Sequence, residues 1–427
     1  MLTEFFKKII FFGIVIFSVF TNIYSQRISD RKFKKIIEKE DSFNGSIVSA
    51  VFLDVKKNKN IVDFQSNRYM TPASNIKLLT FLATISIFDS IPSIEYIKKD
   101  NKFYFRSTGY PLLGHPKYED KILAEFLKKQ PDSLVYIENK KNINSLGPGW
   151  AWDDQGYYFS SERSFSPFHG NVVKLYKSDK DLSLKFFPKY FEKNKNLIKN
   201  ISNWNNITNI KSKDTLLIPF FTKKVLNQVL LSEYLDRKVL LAEDFTEIKT
   251  QFNTFYSGFE KQLFEALLHD SDNLIAESLI LMISNYFKND LDNKKTINDF
   301  ILDNFPELKN KPIWYDGSGL SRYNMLTTSS IIQVLKKIHD KIGIKKIMIY
   351  FPEIKAASKR LSFFDQENGF RVFAKTGTLS NNHSLSGYIF KGEKIILFSF
   401  MVNHHNRSLM DIQKALGKII IKVLDRI

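Results

Sequence analysis

At 427 residues, with 43% hydrophobic and 25% charged side chains, the chain is long enough for two or more lobes with sizeable cores and is not a disordered polymer. Its formal charge of +18 arises from 63 Lys and Arg against 45 Asp and Glu, with Lys spread along the chain rather than gathered into a stripe, so solvated faces are expected and no nucleic-acid partner. The absence of Cys excludes a disulfide framework and a cysteine-linked lipid, and the seven scattered His supply no zinc set, so neither metal nor organic cofactor is expected.

The first segment reads as an export signal over residues 1–25. Lys7 and Lys8 precede the apolar stretch Ile9 to Phe20, and the small Ser25 precedes the polar Gln26-Arg27. Cleavage after Ser25 implies a periplasmic location; the bulky Ile23 keeps an uncleaved membrane anchor as the competing reading, with association at a membrane surface. No later run reaches the roughly 18 apolar residues that span a bilayer.

Further along, residues 31–40 read as a basic helix, and Ser46 to Val55 and Ile61 to Phe64 as strands joined by a turn at Lys57 to Asn60. Pro72 and the apolar run Leu78, Leu79, Phe81, Leu82 and Ile85 place Ser74 at a helix start. The stretch from Lys77 to Ser271 is far too long for a loop, so residues 96–250 are assigned to an inserted lobe between a first part at 26–95 and a second part at 251–427. Within the insertion, Lys102 to Arg106 and Leu134 to Glu138 read as strands, Glu119 to Lys129 as a helix, and Glu192 to Asp214 as a polar loop or lobe edge. Beyond it, Glu260 to Leu268 and Leu274 to Phe287 read as helices that break at Ser271. Val372 to Leu379 reads as a strand, Ser386 to Phe390 and Ile395 to Val402 as a hairpin, and Leu409, Ile412, Leu416, Ile419 and Val423 as one face of a last helix. First and last strands therefore belong to one α/β (α+β) layered fold.

Three short motifs carry the chemistry: Ser74-Asn75-Ile76-Lys77, Ser271-Asp272-Asn273 and Lys375-Thr376-Gly377-Thr378. Each tripeptide or tetrapeptide is weak alone, but in this order they supply an acyl-transfer site without histidine. Lys77 lies one helical turn from the Ser74 hydroxyl and can act as its base once neutral; burial and a second cation, Lys375, would lower its pKa. No GxSxG elbow supports a Ser-His-Asp triad. His404-His405 would point to opposite faces of a strand. Asp316-Gly317-Ser318-Gly319 reads as a tight turn near the site rim, and Trp150 and Trp152 as core or lobe-interface residues.

Thr71-Pro72-Ala73-Ser74-Asn75-Ile76-Lys77-Leu78-Leu79-Thr80, Gly147-Pro148-Gly149-Trp150-Ala151-Trp152-Asp153-Asp154, Ser271-Asp272-Asn273-Leu274-Ile275-Ala276-Glu277, Asp316-Gly317-Ser318-Gly319-Leu320-Ser321-Arg322 and Ala374-Lys375-Thr376-Gly377-Thr378-Leu379 resemble the signatures of the penicillin-recognising serine D-Ala-D-Ala peptidases, class C of the low-molecular-mass penicillin-binding proteins. The resemblance covers nearly everything after the signal. It departs at Gly109-Tyr110-Pro111, where the family usually has Gly-Asp-Pro, and in a shorter insertion.

The resemblance implies a transpeptidase-like fold, an antiparallel sheet layered with helices and carrying a large inserted lobe, and carboxypeptidase or endopeptidase action on peptidoglycan stem peptides, with β-lactams as covalent inhibitors. It further implies that Ser271 relays a proton to the leaving amine, that Asn273 bonds Lys77 and the substrate backbone, and that the N–H groups of Ser74 and Thr378 form an oxyanion hole. Lys375, Thr376 and Thr378, around Gly377, would receive a terminal carboxylate, and Asp154, or else Asp153, the free amine of a diamino-acid side chain. A β-lactamase on the same scaffold and a silent wall-binding protein are the competing readings.

Overall fold

The computed structural model describes residues 27–138, 143–178, 183–198, 214–242, 251–258, 260–287, 293–354 and 369–426. The expected export signal lies outside them, as does 199–213 of the polar stretch read as a loop.

Helix α1 (Asp30–Ile37) buries Phe33, Ile36 and Ile37, and β1 (Ile47–Asp54) pairs antiparallel with β2 (Lys59–Phe64). A 3₁₀ turn, Ala73–Ile76, then runs into α2 (Lys77–Ile87). Ser74 therefore sits in the tighter turn and Lys77 opens the α-helix. Every residue of α2 from Lys77 to Thr84 is buried, so its first two turns are central and have no solvent face.

The inserted part is built on two sheets. In chain order it contains β3 (Ile94–Lys99), β4 (Lys102–Ser107), α3 (Lys121–Lys128), β5 (Ser133–Tyr136), β6 (Val172–Lys177), β7 (Leu184–Phe187), β8 (Thr215–Pro219), α4 (Lys224–Leu235), β9 (Val239–Leu241) and β10 (Asn253–Phe255). One sheet has the order β10-β3-β4-β5-β9 and the other β7-β6-β8. The pairing of β3 with β10 extends the larger sheet from Ile94 to Phe255.

Four helices and three strands follow: α5 (Glu260–Leu268), α6 (Asn273–Tyr286), α7 (Asn293–Asn304), α8 (Thr328–Tyr350), β11 (Arg371–Leu379), β12 (Asn382–Lys391) and β13 (Lys394–Asn403), then the last helix α9 (Leu409–Leu424). The principal sheet runs β11-β12-β13-β1-β2 and is antiparallel throughout, joining the first strands to the last from Ile47↔Asn403 to Asp54↔Ile396. Both faces are covered. In β13, Phe398, Phe400 and Val402 pack with α1 and α9, while Leu397 and Met401 point to the layer of α2, α5, α6 and α8, the period-two alternation of a strand between two cores. Phe81 of α2 meets Phe264 edge-on at 4.9 Å and Phe351 at 5.9 Å. Burial of one such ring contributes about 1.5–3 kcal/mol, which fixes α2 and the site residue it opens on. No described helix is long and apolar enough to cross a membrane.

Candidate active site

The turn that carries Ser74 is closed by two glycines of separate elements. Ala73 has φ +49. A Cβ on Gly319 would lie 2.1 Å from the Ala73 carbonyl oxygen, and one on Gly377 would lie 2.6 Å from that of Pro72 and 2.9 Å from Asn75 N. Gly377 thus serves close approach: without a side chain, β11 can press against the turn that carries Ser74. Asn75 Nδ2 donates to the Lys375 carbonyl at 3.2 Å and Ser384 Oγ to that of Pro72 at 2.7 Å, stitching the same seam.

Lys77 is fully buried, and its Nζ donates to Asn273 Oδ1 (2.6 Å), the Ser318 carbonyl (2.6 Å) and Ser74 Oγ (3.1 Å). Three acceptors match the three protons of an ammonium. Burial nevertheless pushes its pKa down to about 8, against the pull of the carboxylates of Asp316, Asp272 and Glu277. Lys375 is also buried and held well below the ordinary lysine range, first by burial and then by the charge of Lys77. Its Nζ donates to Ser271 Oγ at 2.9 Å and to the Thr376 carbonyl at 2.8 Å.

Ser271 lies in the break between α5 and α6 with φ +61, a left-handed conformation that a residue with a Cβ seldom adopts. Asp272 caps α6 by accepting from Ile275 N at 2.9 Å. Asn273 differs from expectation in one respect: its Nδ2 donates to the Phe159 carbonyl at 2.8 Å, so one of its two donor hydrogens holds the inserted part and one is left for a ligand.

The Asp316–Gly319 turn is the floor of the site and not its rim. Asp316 and Ser318 are buried, and the Asp316 carboxylate accepts from Gly319 N (2.9 Å), Ser321 N (2.7 Å), Asn324 Nδ2 (2.7 Å) and Trp150 Nε1 (2.8 Å). Glu277 accepts from Ser318 N at 2.8 Å, lies 3.3 Å from Arg163 Nε, and is pushed up to about 7 by burial and by Asp316. Sequence reading missed the Ser318 carbonyl, because a main-chain acceptor carries no side-chain signal. The network around Asp316 could have been suspected from the Gly and Ser around an aspartate.

Thr376 is half-buried and Thr378 exposed; Thr378 Oγ1 lies 2.9 Å from Nδ1 of the buried His383, whose pKa burial lowers to about 4. His404 and His405 lie beyond the end of β13, so the strand argument about their faces does not apply. Trp150 is at a lobe interface through its bond to Asp316, whereas Trp152 is 85% exposed and packs neither core nor interface.

Asp153 and Asp154 share the 3₁₀ turn Trp152–Asp154. Asp153 is exposed and lines a cavity of about 370 Å³ with Trp152, Gln155 and Phe221; Asp154 is half-buried, raised by burial and by Asp153 against the opposing charge of Arg322. Neither lines the larger cavity, about 850 Å³, whose wall includes Ser271 and Asn273 together with His115, Tyr157, Tyr158, Phe159 and Lys174. Among the described residues, no group of three or more His, Asp or Glu is placed to hold a metal ion.

A buried lysine touching a serine hydroxyl, facing a second lysine–serine pair across one sheet edge, is the arrangement of an acyl-transfer enzyme whose proton carriers are amines. Comparison with known proteins narrows that class. The family model described as D-Ala-D-Ala carboxypeptidase 3 (S13) matches residues 30–179 and 225–423, and the chain belongs to this family. A penicillin-sensitive carboxypeptidase A of Dictyostelium discoideum is 31% identical over 116 residues; the chain spans 22% of that relative's length. Among solved structures, penicillin binding protein 4 from Haemophilus influenzae superposes with a TM-score of 0.63 at 19% identity, over 91% of this chain and 99% of that one. A predatory endopeptidase from Bdellovibrio bacteriovorus, solved with its immunity protein, gives 0.52 at 13% identity, over 88% and 94%. At these identities the two structures establish a shared fold.

Proposed function

We propose that the chain is a serine D-Ala-D-Ala carboxypeptidase that cleaves peptidoglycan stem peptides through an acyl-enzyme on Ser74, and that it opens crosslinks by the same chemistry as an endopeptidase. The observation that carries this reading is the contact of Lys77 Nζ with Ser74 Oγ at 3.1 Å, made by an amine whose pKa burial has brought to about 8.

A neutral Lys77 accepts the Ser74 proton as Oγ bonds to the carbonyl carbon. The oxyanion is met by the N–H groups of Ser74 and Thr378, donors of a kind whose loss typically costs on the order of 100- to 1000-fold in rate. Collapse breaks the C–N bond, and the proton that Lys77 took from Ser74 passes to the leaving nitrogen by relay through Ser271 Oγ, which Lys375 holds at 2.9 Å, so that Lys77 is neutral again. Water then attacks the ester, passing a proton to Lys77, and Ser74 recovers its own as the shortened peptide leaves. Lys375, with Thr376 and Thr378, receives the terminal carboxylate; that anion favours the charged form that burial opposes.

Asp154, or else Asp153, is proposed to receive the free amine of a diamino-acid side chain. The half-buried position of Asp154, four residues along the chain from the anchored Trp150, supports it over the exposed Asp153. Residues 1–25 are proposed as an export signal, placing the enzyme in the periplasm, where its substrate lies, with contact to a membrane surface. β-Lactams are proposed as covalent inhibitors of Ser74.

Product analysis tests the activity. Purified protein is incubated with a stem pentapeptide and with crosslinked dimers, and products are identified by mass. Free D-alanine from the pentapeptide and monomers from dimers are expected. Release of neither, with rapid hydrolysis of a penicillin, would favour a β-lactamase; binding without turnover would favour a silent wall-binding protein.

A further inference from the structure

We infer that the loop His115–Tyr118 of the inserted part is a positioning device for Ser271: it grips the carboxylates on either side of that serine and so aims its hydroxyl at Lys375. The inference rests on the reading of Ser271 as a working hydroxyl.

Ser271 needs an outside hold. With φ +61 it occupies a backbone region that persists only where the surroundings over-determine it. The bond from Lys375 Nζ fixes its oxygen but not its backbone. The flanking residues carry the grip. On one side, Asp270 Oδ2 accepts from Tyr118 OH at 2.7 Å and from Lys117 Nζ. On the other, Asp272 uses Oδ1 to cap Ile275 N, while Oδ2 lies 3.6 Å from Nε2 of the buried His115 ring.

The His115 ring is itself fixed. Its Nδ1 accepts from the backbone N–H groups of Lys117 (3.3 Å) and Tyr118 (3.1 Å), which leaves the ring hydrogen on Nε2, facing Asp272. A Cβ on Gly170 would come within 3.0 Å of His115 Cδ2, so glycine there lets the inserted chain lie directly on the ring. Three contacts from one loop, made by His115, Lys117 and Tyr118, thus bracket one strained residue. The loop acts on Ser271 through Asp270 and Asp272, which makes it a positioning element.

The loop also lines the large cavity, so the test must separate positioning from ligand binding. Acylation of the full chain by a labelled penicillin is measured in single turnover and resolved into reversible binding and the covalent step. His115→Ala, His115→Gln and Tyr118→Phe are each made in the natural chain and in Ser271→Gly, where glycine accepts the left-handed backbone but offers no hydroxyl.

His115→Ala is expected to slow the covalent step on the order of tenfold to a hundredfold, the scale of a small misplacement of a reacting group, with reversible binding nearly unchanged. His115→Gln, whose amide N–H can serve Asp272, should restore most of it. Tyr118→Phe, which keeps the ring and removes one oxygen, should slow the step to a smaller extent and serves if His115→Ala does not fold. None should slow it further in Ser271→Gly. Equal losses in both backgrounds, or a change confined to reversible binding, would overturn the positioning role alone. Natural-rate acylation by Ser271→Gly would overturn the reading of the hydroxyl and the grip with it.

Discussion

Lys77 is deprived of water and surrounded by acceptors, and the two influences oppose each other: the three carboxylates nearby favour its charge, and burial, the larger effect, brings it to about 8. As the proposed base, Lys77 works as the neutral amine, so the covalent step should rise with pH up to about 8 and then level. A rate that falls over that range would remove Lys77 from the role. Lys77→Ala should abolish acylation while reversible penicillin binding stays measurable. Lys375 should fail differently. Its replacement by Ala should mainly harm substrates with a free terminal carboxylate; if amidating that carboxylate slows the natural enzyme and Lys375→Ala equally, the anchor role is wrong. Asp154→Asn should narrow the difference between peptides with a free and an acetylated side-chain amine, and an unchanged difference in both Asp154→Asn and Asp153→Asn would show that this turn does not read the amine.

Between elements, the site depends on how closely β11 and the Asp316–Asn324 loop can approach the 3₁₀ turn at Ser74. Gly319→Ala would place a methyl 2.1 Å from the Ala73 carbonyl oxygen at a φ of +87, and Gly377→Ala would crowd Pro72 and Asn75 from the other side. Both should slow acylation on the order of a hundredfold in protein that remains folded by circular dichroism, since the nucleophile's turn must shift. Retained activity in both would mean that the seam is looser than its contacts imply. The principal sheet was legible because its strands β1 and β13 are nearly continuous apolar runs, as a sheet covered on both faces requires, and the last hairpin is marked by Gly392. The break at Ser271 was legible because two apolar periodicities stop on either side of it. The small sheet of β6, β7 and β8 was not: its strands are four to six residues long, too short for a period to stand out. Helix α8 was not legible: the basic run from Lys336 to Lys346 falls where its buried side, continuous through Ile331, Ile332, Val334, Leu335 and Ile338, is interrupted until Ile347. Ser318 escaped because its contribution is a carbonyl, and the exposure of Trp152 escaped because its neighbour Trp150 is anchored.

Across the whole molecule, the inserted part meets α6 and the Asp316–Asn324 loop at the site through a few polar contacts. Trp150 reaches Asp316, Phe159 accepts from Asn273, and Arg163 faces Glu277 where both are buried. Removing one partner of such a pair leaves a charge without water, at a cost of about 3–5 kcal/mol. Arg163→Ala should therefore lower stability by that amount near pH 8. The loss should shrink as pH falls through about 7, because Glu277, raised to that value by burial, then takes up a proton and loses the charge that Arg163 had balanced. Denaturant melts at pH 8 and pH 5 check the sign; a loss that grows on acidification would place the charge elsewhere. Few of the many Lys enter this coupling; Lys117, paired with Asp270, is one that does.

The most direct measurement is the site of covalent attachment. The protein is treated with a labelled penicillin, whose strained amide stands in for the scissile bond, and the adduct is mapped by peptide mass spectrometry. One equivalent on Ser74, absent from Ser74→Ala, is expected; an adduct on Ser271, on Ser318 or on any other serine would contradict the assignment of Ser74 and Lys77 as nucleophile and base.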